Sequence, residues 1–185
     1  MNCILPNTTK TDKELTKNIK ETAKAFFNLK GYQPQAYRKA AYLKAGKLYM
    51  TNAQMLVEFT LPFETPPEGI FVLPVMVGTE MQLVEQEQYA GFEFPETAPL
   101  FEVQHEWLDF NLELFSLSVC YCRVIHAMST PDKGGVLDIN LFKLLPAKTY
   151  TVKCDAQAQS EESMTCPIVF EADNYAAVII PMKHN

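Results

Sequence analysis

Five lysines, Lys10, Lys13, Lys17, Lys20 and Lys24, recur at spacings of three, four, three and four. At the helical step of about 100° per residue they fall within about 80° of one another. A row of ammonium groups on one helix face suits electrostatic, sequence-independent contact with a polyanion such as a nucleic-acid backbone. A solvated face at a domain edge carries the same pattern, so the row alone does not choose between the two. A second candidate is Cys120-x-Cys122-x3-His126, whose side chains would share one face of a strand. Structural zinc needs a fourth ligand, and the chain has no further C-x2-C or H-x3-H pair, so these read as free thiols and a core histidine. No metal and no cofactor is expected. The acids Glu80, Glu85, Glu87, Glu93 and Glu96 cluster in sequence, but no base accompanies them, and a solvated acidic surface is the plain account. The histidines are His105, His126 and His184, and G-x-S-x-G, H-E-x-x-H, Walker and G-x-G-x-x-G patterns are absent. The expectation is a protein that is not an enzyme. A hydrolase built on a carboxylate cleft would require several of those acids to converge.

Charge sharpens the first candidate. The net charge is −6. Residues 1–48 hold ten Lys or Arg against three acids, while residues 49–185 hold six against nineteen. Between Tyr49 and Cys122 there is no Lys or Arg. An acidic protein can still present a local basic surface, because fields are screened beyond about 8–10 Å at physiological salt. No apolar run is long enough for a membrane span. The start, Met1-Asn2-Cys3-Ile4-Leu5-Pro6, lacks a basic region followed by an apolar one. Five scattered cysteines do not form a disulfide framework, which fits a reducing cytoplasm.

The elements that must position the lysines can be read in order. A helix is expected from Thr11-Asp12, either of which can cap it, to about Leu29, with Gly31 as its stop. Leu15, Ile19, Ala23 and Phe26 form its apolar side. Residues 36–44 read as a strand, Ala45-Gly46 as a turn, and residues 47–61 as extended. A Pro/Glu-rich loop spans 62–69, a short strand spans 70–75, and residues 79–99 read as strands and loop broken at Gly91 and Pro95. The second half repeats the order. Residues 112–128 are β-rich, 129–135 form a turn, and Asp138 caps a short helix over 139–145 closed by Pro146. Strands follow at 149–156, 167–171 and 175–181.

The C-terminal segments carry a resemblance. Val136-Leu137-Asp138-Ile139-Asn140-Leu141-Phe142 precedes Tyr150-Thr151-Val152-Lys153-Cys154, then Cys166-Pro167-Ile168-Val169-Phe170, then Val178-Ile179-Ile180-Pro181-Met182-Lys183. Together these resemble the end of the bacterial DNA polymerase III β subunit, the DNA sliding clamp. Gly46-Lys47-Leu48 through Thr51-Asn52-Ala53-Gln54-Met55-Leu56 resembles the family's G-K-L-x-x-x-T-D-x-H-R-L hairpin, and Phe92-Glu93-Phe94-Pro95 echoes an F-P segment. Asn52, Gln54 and Met55 stand where the family has Asp, His and Arg, and Ile180 stands for its Met. The segments cover about half of the chain in the family's order.

The resemblance implies an α+β fold of the DNA-clamp (processivity-fold) type, with two helices packed on curved, mostly antiparallel sheets. It implies one clamp-like domain over 1–185, built from halves of about 1–103 and 104–185, with an acidic loop-rich extension at about 62–103. It implies a non-catalytic, DNA-associated scaffold in replication, a processivity factor in the cytoplasm. Double-stranded DNA would meet Lys10, Lys13, Lys17, Lys20 and Lys24. Ile180, Pro181 and Met182 would border a site for partner peptides. Replication proteins and further copies of the chain are the other implied partners; a membrane is not. A bacterial clamp subunit has three domains and closes a ring as a dimer, so a ring built from a chain of this length would need several copies or other chains. The alternative is a clamp-fold protein-interaction module that no longer binds DNA. Asp138-Ile139-Asn140-Leu141-Phe142 also resembles the peptide that partners insert into a clamp, but Leu144, Leu145 and Pro146 favour the short helix.

Overall fold

The computed structural model describes residues 2–27, 35–65, 67–101, 106–111, 135–136, 139–142, 144–146, 149–154, 167–180 and 182–183. They divide into two units, Met1–Pro95 and Glu96–Asn185.

The first unit contains β1 (Asn2–Ile4), α1 (Lys10–Phe27), a 3-10 turn (Ala36–Arg38), β2 (Ala41–Lys44), β3 (Lys47–Thr51), β4 (Met55–Thr60), β5 (Ile70–Val77), β6 (Glu80–Glu85) and a second 3-10 turn (Glu87–Tyr89). Its strands lie in the order β1-β6-β5-β2-β3-β4, antiparallel throughout. Tight turns set the register. Ala45 and Gly46 both take positive φ, 47° and 77°, and join Lys44 to its cross-strand partner Lys47 in a two-residue hairpin. At the next corner the Asn52 Oδ1 accepts the backbone N–H groups of Gln54 at 3.0 Å and Met55 at 2.8 Å. That is an Asx turn. It lets Ala53 take φ 74° while the Thr51 hydroxyl donates to the Met55 carbonyl.

One face of this sheet carries Leu43, Leu48, Met50, Val57, Phe59, Val72 and Leu83, all inaccessible, and α1 packs across β3 and β5. The opposite face is aromatic, because Tyr42 pairs with both Tyr49 and Phe71 across its two neighbours. Residues 86–95 fold over that face as a strap. Phe94 stacks on Tyr42 with centroids 4.7 Å apart and planes 2° from parallel, and it also meets Tyr37, Tyr49 and Phe71. Tyr42 packs so closely on the backbone that a Cβ at Gly69 would lie 1.8 Å from its hydroxyl oxygen. Burial above all, and the Glu58 carboxylate beside it, hold the Tyr49 hydroxyl far above its usual range. It therefore remains a neutral donor to Glu58, which Lys47 also meets at 2.7 Å.

The second unit holds α2 (Ala98–Phe101), β7 (Glu106–Asn111), β8 (Gly135–Val136), α3 (Ile139–Phe142), β9 (Thr149–Cys154), β10 (Ile168–Ala172), β11 (Tyr175–Ile179) and β12 (Met182–Lys183). β11-β10-β9-β7 is an antiparallel run, and β12 pairs with β8. Ile168, Val169 and Phe170 are buried consecutively, as are Ala177, Val178 and Ile179, so these strands bury side chains on both faces. Phe142 of α3 meets Phe170 edge-on at 5.7 Å, and Tyr150 donates its hydroxyl to the Pro146 carbonyl.

Four expectations shift. The helix starts at Lys10 instead of Thr11-Asp12, because Thr9 caps it. Residues 36–38 form a 3-10 turn ahead of β2, because Lys39 and Ala40 both return their N–H groups to the Ala36 carbonyl. Ala36 and Ala40 are then buried together against Phe71. The acidic stretch at 62–103 holds the β5–β6 hairpin, which pairs into the sheet at β2 and β1. Pro74 is tolerated there because β2 pairs with β5 only as far as Val72, so its missing N–H breaks no ladder on that side. The short helix spans Ile139–Phe142, and Leu144 and Leu145 continue it as turns. Leu29, Gly31, His105, residues 112–128 with Cys120, Cys122 and His126, Asp138, Pro181 and His184 lie outside the described residues.

Candidate nucleic-acid interface

The lysine row depends on where α1 begins and how it is seated. Thr9 is the N-cap. Its hydroxyl accepts the Asp12 N–H at 3.1 Å, and the Asp12 carboxylate accepts the Thr9 N–H at 2.8 Å. This is a reciprocal capping box, T-x-x-D, with the Thr8 N–H and hydroxyl also donating to Asp12. The bonds from Thr9, backbone first and then side chain, hold the Asp12 carboxyl below its ordinary value of 3.8. A negative charge in the first turn also opposes the positive end of the helix dipole.

Leu15, Thr16, Ile19, Thr22 and Phe26 are the buried residues of α1. Lys10, Lys13, Lys17, Lys20 and Lys24 are all exposed. At about 1.5 Å per residue the row is about 21 Å long. Glu14 and Glu21 are exposed as well and flank the row at the next helical positions, so the solvent face holds five cations and these two acids. Sequence reasoning passed over those acids, although the same helical projection places them.

Lys20 and Lys24 also border a shallow groove of about 400 Å³ whose floor includes Phe27, Pro74, Met76 and Met81. The groove lies where the last turns of α1 meet the β5–β6 hairpin. Nothing in the amino-acid pattern marks it, because it arises from packing between segments some fifty residues apart.

The C-terminal candidates are placed differently. Ile180 follows β11 and is half-buried, and Met182 pairs through its backbone with Val136. Pro181 lies outside the described residues. Among the described residues no group of three or more His, Cys, Asp or Glu could hold a metal ion. No described helix is long and apolar enough to cross a membrane.

No protein-family model matches the chain, and no curated protein matches it by sequence. Solved structures do. The DNA polymerase III β subunit of Thermotoga maritima superposes with a TM-score of 0.50 at 11% identity, over 94% of this chain and 63% of that one. The β subunit from DNA polymerase of Streptococcus pyogenes gives 0.52 at 10% identity, over 100% of this chain and 66% of that one. This chain therefore covers under two thirds of either subunit. At such identity the likeness shows the fold alone: a divergent α+β fold of the DNA-clamp type.

Proposed function

We propose that this chain is a non-catalytic, DNA-associated scaffold of the sliding-clamp type, which meets the phosphates of double-stranded DNA through Lys10, Lys13, Lys17, Lys20 and Lys24. One observation carries the reading: five exposed lysines share the face of α1 that points away from its sheet. A rigid row of this kind contacts a backbone without reading bases, which suits a protein that moves along its template. Replication in the cytoplasm, with replication proteins meeting Ile180, Pro181 and Met182, belongs to the same proposal.

The test is DNA affinity as a function of salt. The parent chain is expected to bind duplex DNA with a log–log salt slope of about −0.9 per phosphate contacted. Lys13→Glu, Lys17→Glu, Lys20→Glu and Lys24→Glu together should abolish binding and leave the circular dichroism unchanged. A parent that shows no salt-dependent binding, or a variant that binds as the parent does, overturns the reading. The second reading, a clamp-fold interaction module without DNA, is favoured by the span from Tyr49 to Cys122, which lacks Lys and Arg and would repel phosphate. It predicts no DNA affinity in the parent.

A further inference from the structure

The groove beneath the end of α1 and an exposed aromatic ring on the strap are two separate surface features of the first unit. Four large hydrophobic side chains are exposed among the described residues: Ile4, Val75, Val77 and Phe92. Phe92 is the aromatic one, at 55% exposure. It is presented, not frayed. Gly91 takes φ 83°, the Phe92 N–H donates to the Tyr89 carbonyl at 3.1 Å, and the Tyr89 ring meets Phe92 edge-on at 6.2 Å. Glu87 and Glu93, both exposed, flank it. Phe92 is therefore a fixed apolar knob on an acidic stretch of chain.

The groove is its chemical complement. Its floor of Phe27, Pro74, Met76 and Met81 is apolar, Lys20 and Lys24 form the rim, and no acid lines it. Methionine side chains repack readily around an inserted ring. The groove has ample room for one ring, since a cavity of about 150 Å³ already encloses benzene. We infer that the groove receives Phe92 of a second copy of this chain, with Lys20 and Lys24 meeting that copy's Glu87 and Glu93.

A chain does not fill its own groove. The strap lies on the sheet face of Tyr42 and Phe71, whereas α1 lies on the opposite face with Leu48 and Met50. Knob and groove are different patches, so the contact is heterologous: each copy gives Phe92 to one neighbour and receives it from another. The inference does not rest on DNA binding, since it needs no nucleic acid and leaves Lys10, Lys13 and Lys17 unused.

Sedimentation velocity over a range of protein concentrations, without DNA, tests it. The parent's mean mass should rise with concentration and fall back at high salt, because the rim pairs are screened. Phe92→Glu and Met76→Glu should each weaken association roughly tenfold or more. Mixed in equal amounts they should form heterodimers that do not extend, since one retains the groove and the other the knob. Should Met76→Glu fail to fold, charge exchange at exposed residues replaces it. Lys20→Glu with Lys24→Glu, and Glu87→Lys with Glu93→Lys, should each dissociate alone and reassociate when mixed. A parent that stays monomeric at every concentration, single variants that associate like the parent, or folded complementary pairs that stay monomeric when mixed would each overturn the inference.

Discussion

The entry to α1 rests on two side chains. Thr9→Ala removes the N-cap acceptor and should lower stability by about 1 kcal/mol, read as an earlier urea midpoint at unchanged slope. Asp12→Ala should also destabilise, with a pH signature. The Asp12 carboxyl titrates below its ordinary 3.8 in the folded chain. Its contribution is therefore complete above that value and is lost as pH falls through the lower, folded one. The gap between parent and Asp12→Ala should be flat near neutrality and close in acid. The sequence offered Thr11 and Asp12 as caps and did not single out Thr9. Only the helical geometry shows that Asp12 serves from the third position, with Thr9 before it. Asn52 teaches a different lesson. It departs from the clamp pattern's Asp, but the turn uses only a side-chain oxygen acceptor, which either residue supplies.

At the scale of elements, α1 was readable because its apolar and basic sides both repeat with helical period; Leu15, Ile19 and Phe26 are buried as that split predicts, whereas Ala23 is half-buried and Thr16 and Thr22 are buried beside them. The strap was not readable. Its anchor, Phe94, finds its partners only after β2, β3 and β5 align Tyr42, Tyr49 and Phe71 on one face, and no local pattern encodes that pairing. Its energetic role can be measured. Phe94→Ala should cost about 1–3 kcal/mol, below the value for a fully enclosed ring because Phe94 is only half-buried. Gly69→Ala should cost a similar amount by a separate route, since the new methyl group displaces the Tyr42 ring from its stack on Phe94. Near-ultraviolet circular dichroism would report both as a loss of aromatic signal, with far-ultraviolet signal retained.

For the whole molecule, the order of helix and strands twice over was visible in the sequence, as was the concentration of positive charge in residues 1–48. The lysine row was legible as a pattern; its exposure needed the fold. The groove was not legible, because its walls come from a helix and a hairpin that are remote in sequence. Nor did the pattern reveal how the chain passes from one unit to the next. Among the described residues, Glu93, Phe94, Pro95 and Glu96 make no backbone hydrogen bond, and the division between units falls after Pro95. The passage is held by the rings around Phe94. To a protease this is a natural place to cut. Among the described residues, chymotrypsin should cleave first after Phe92, whose side chain stands out from the surface, while Pro95 shields the bond after Phe94. The digest should show two fragments of nearly equal mass, and Phe94→Ala should hasten their appearance. If copies of the chain cover one another's Phe92, concentrated solutions should be clipped more slowly than dilute ones at a fixed ratio of enzyme to protein.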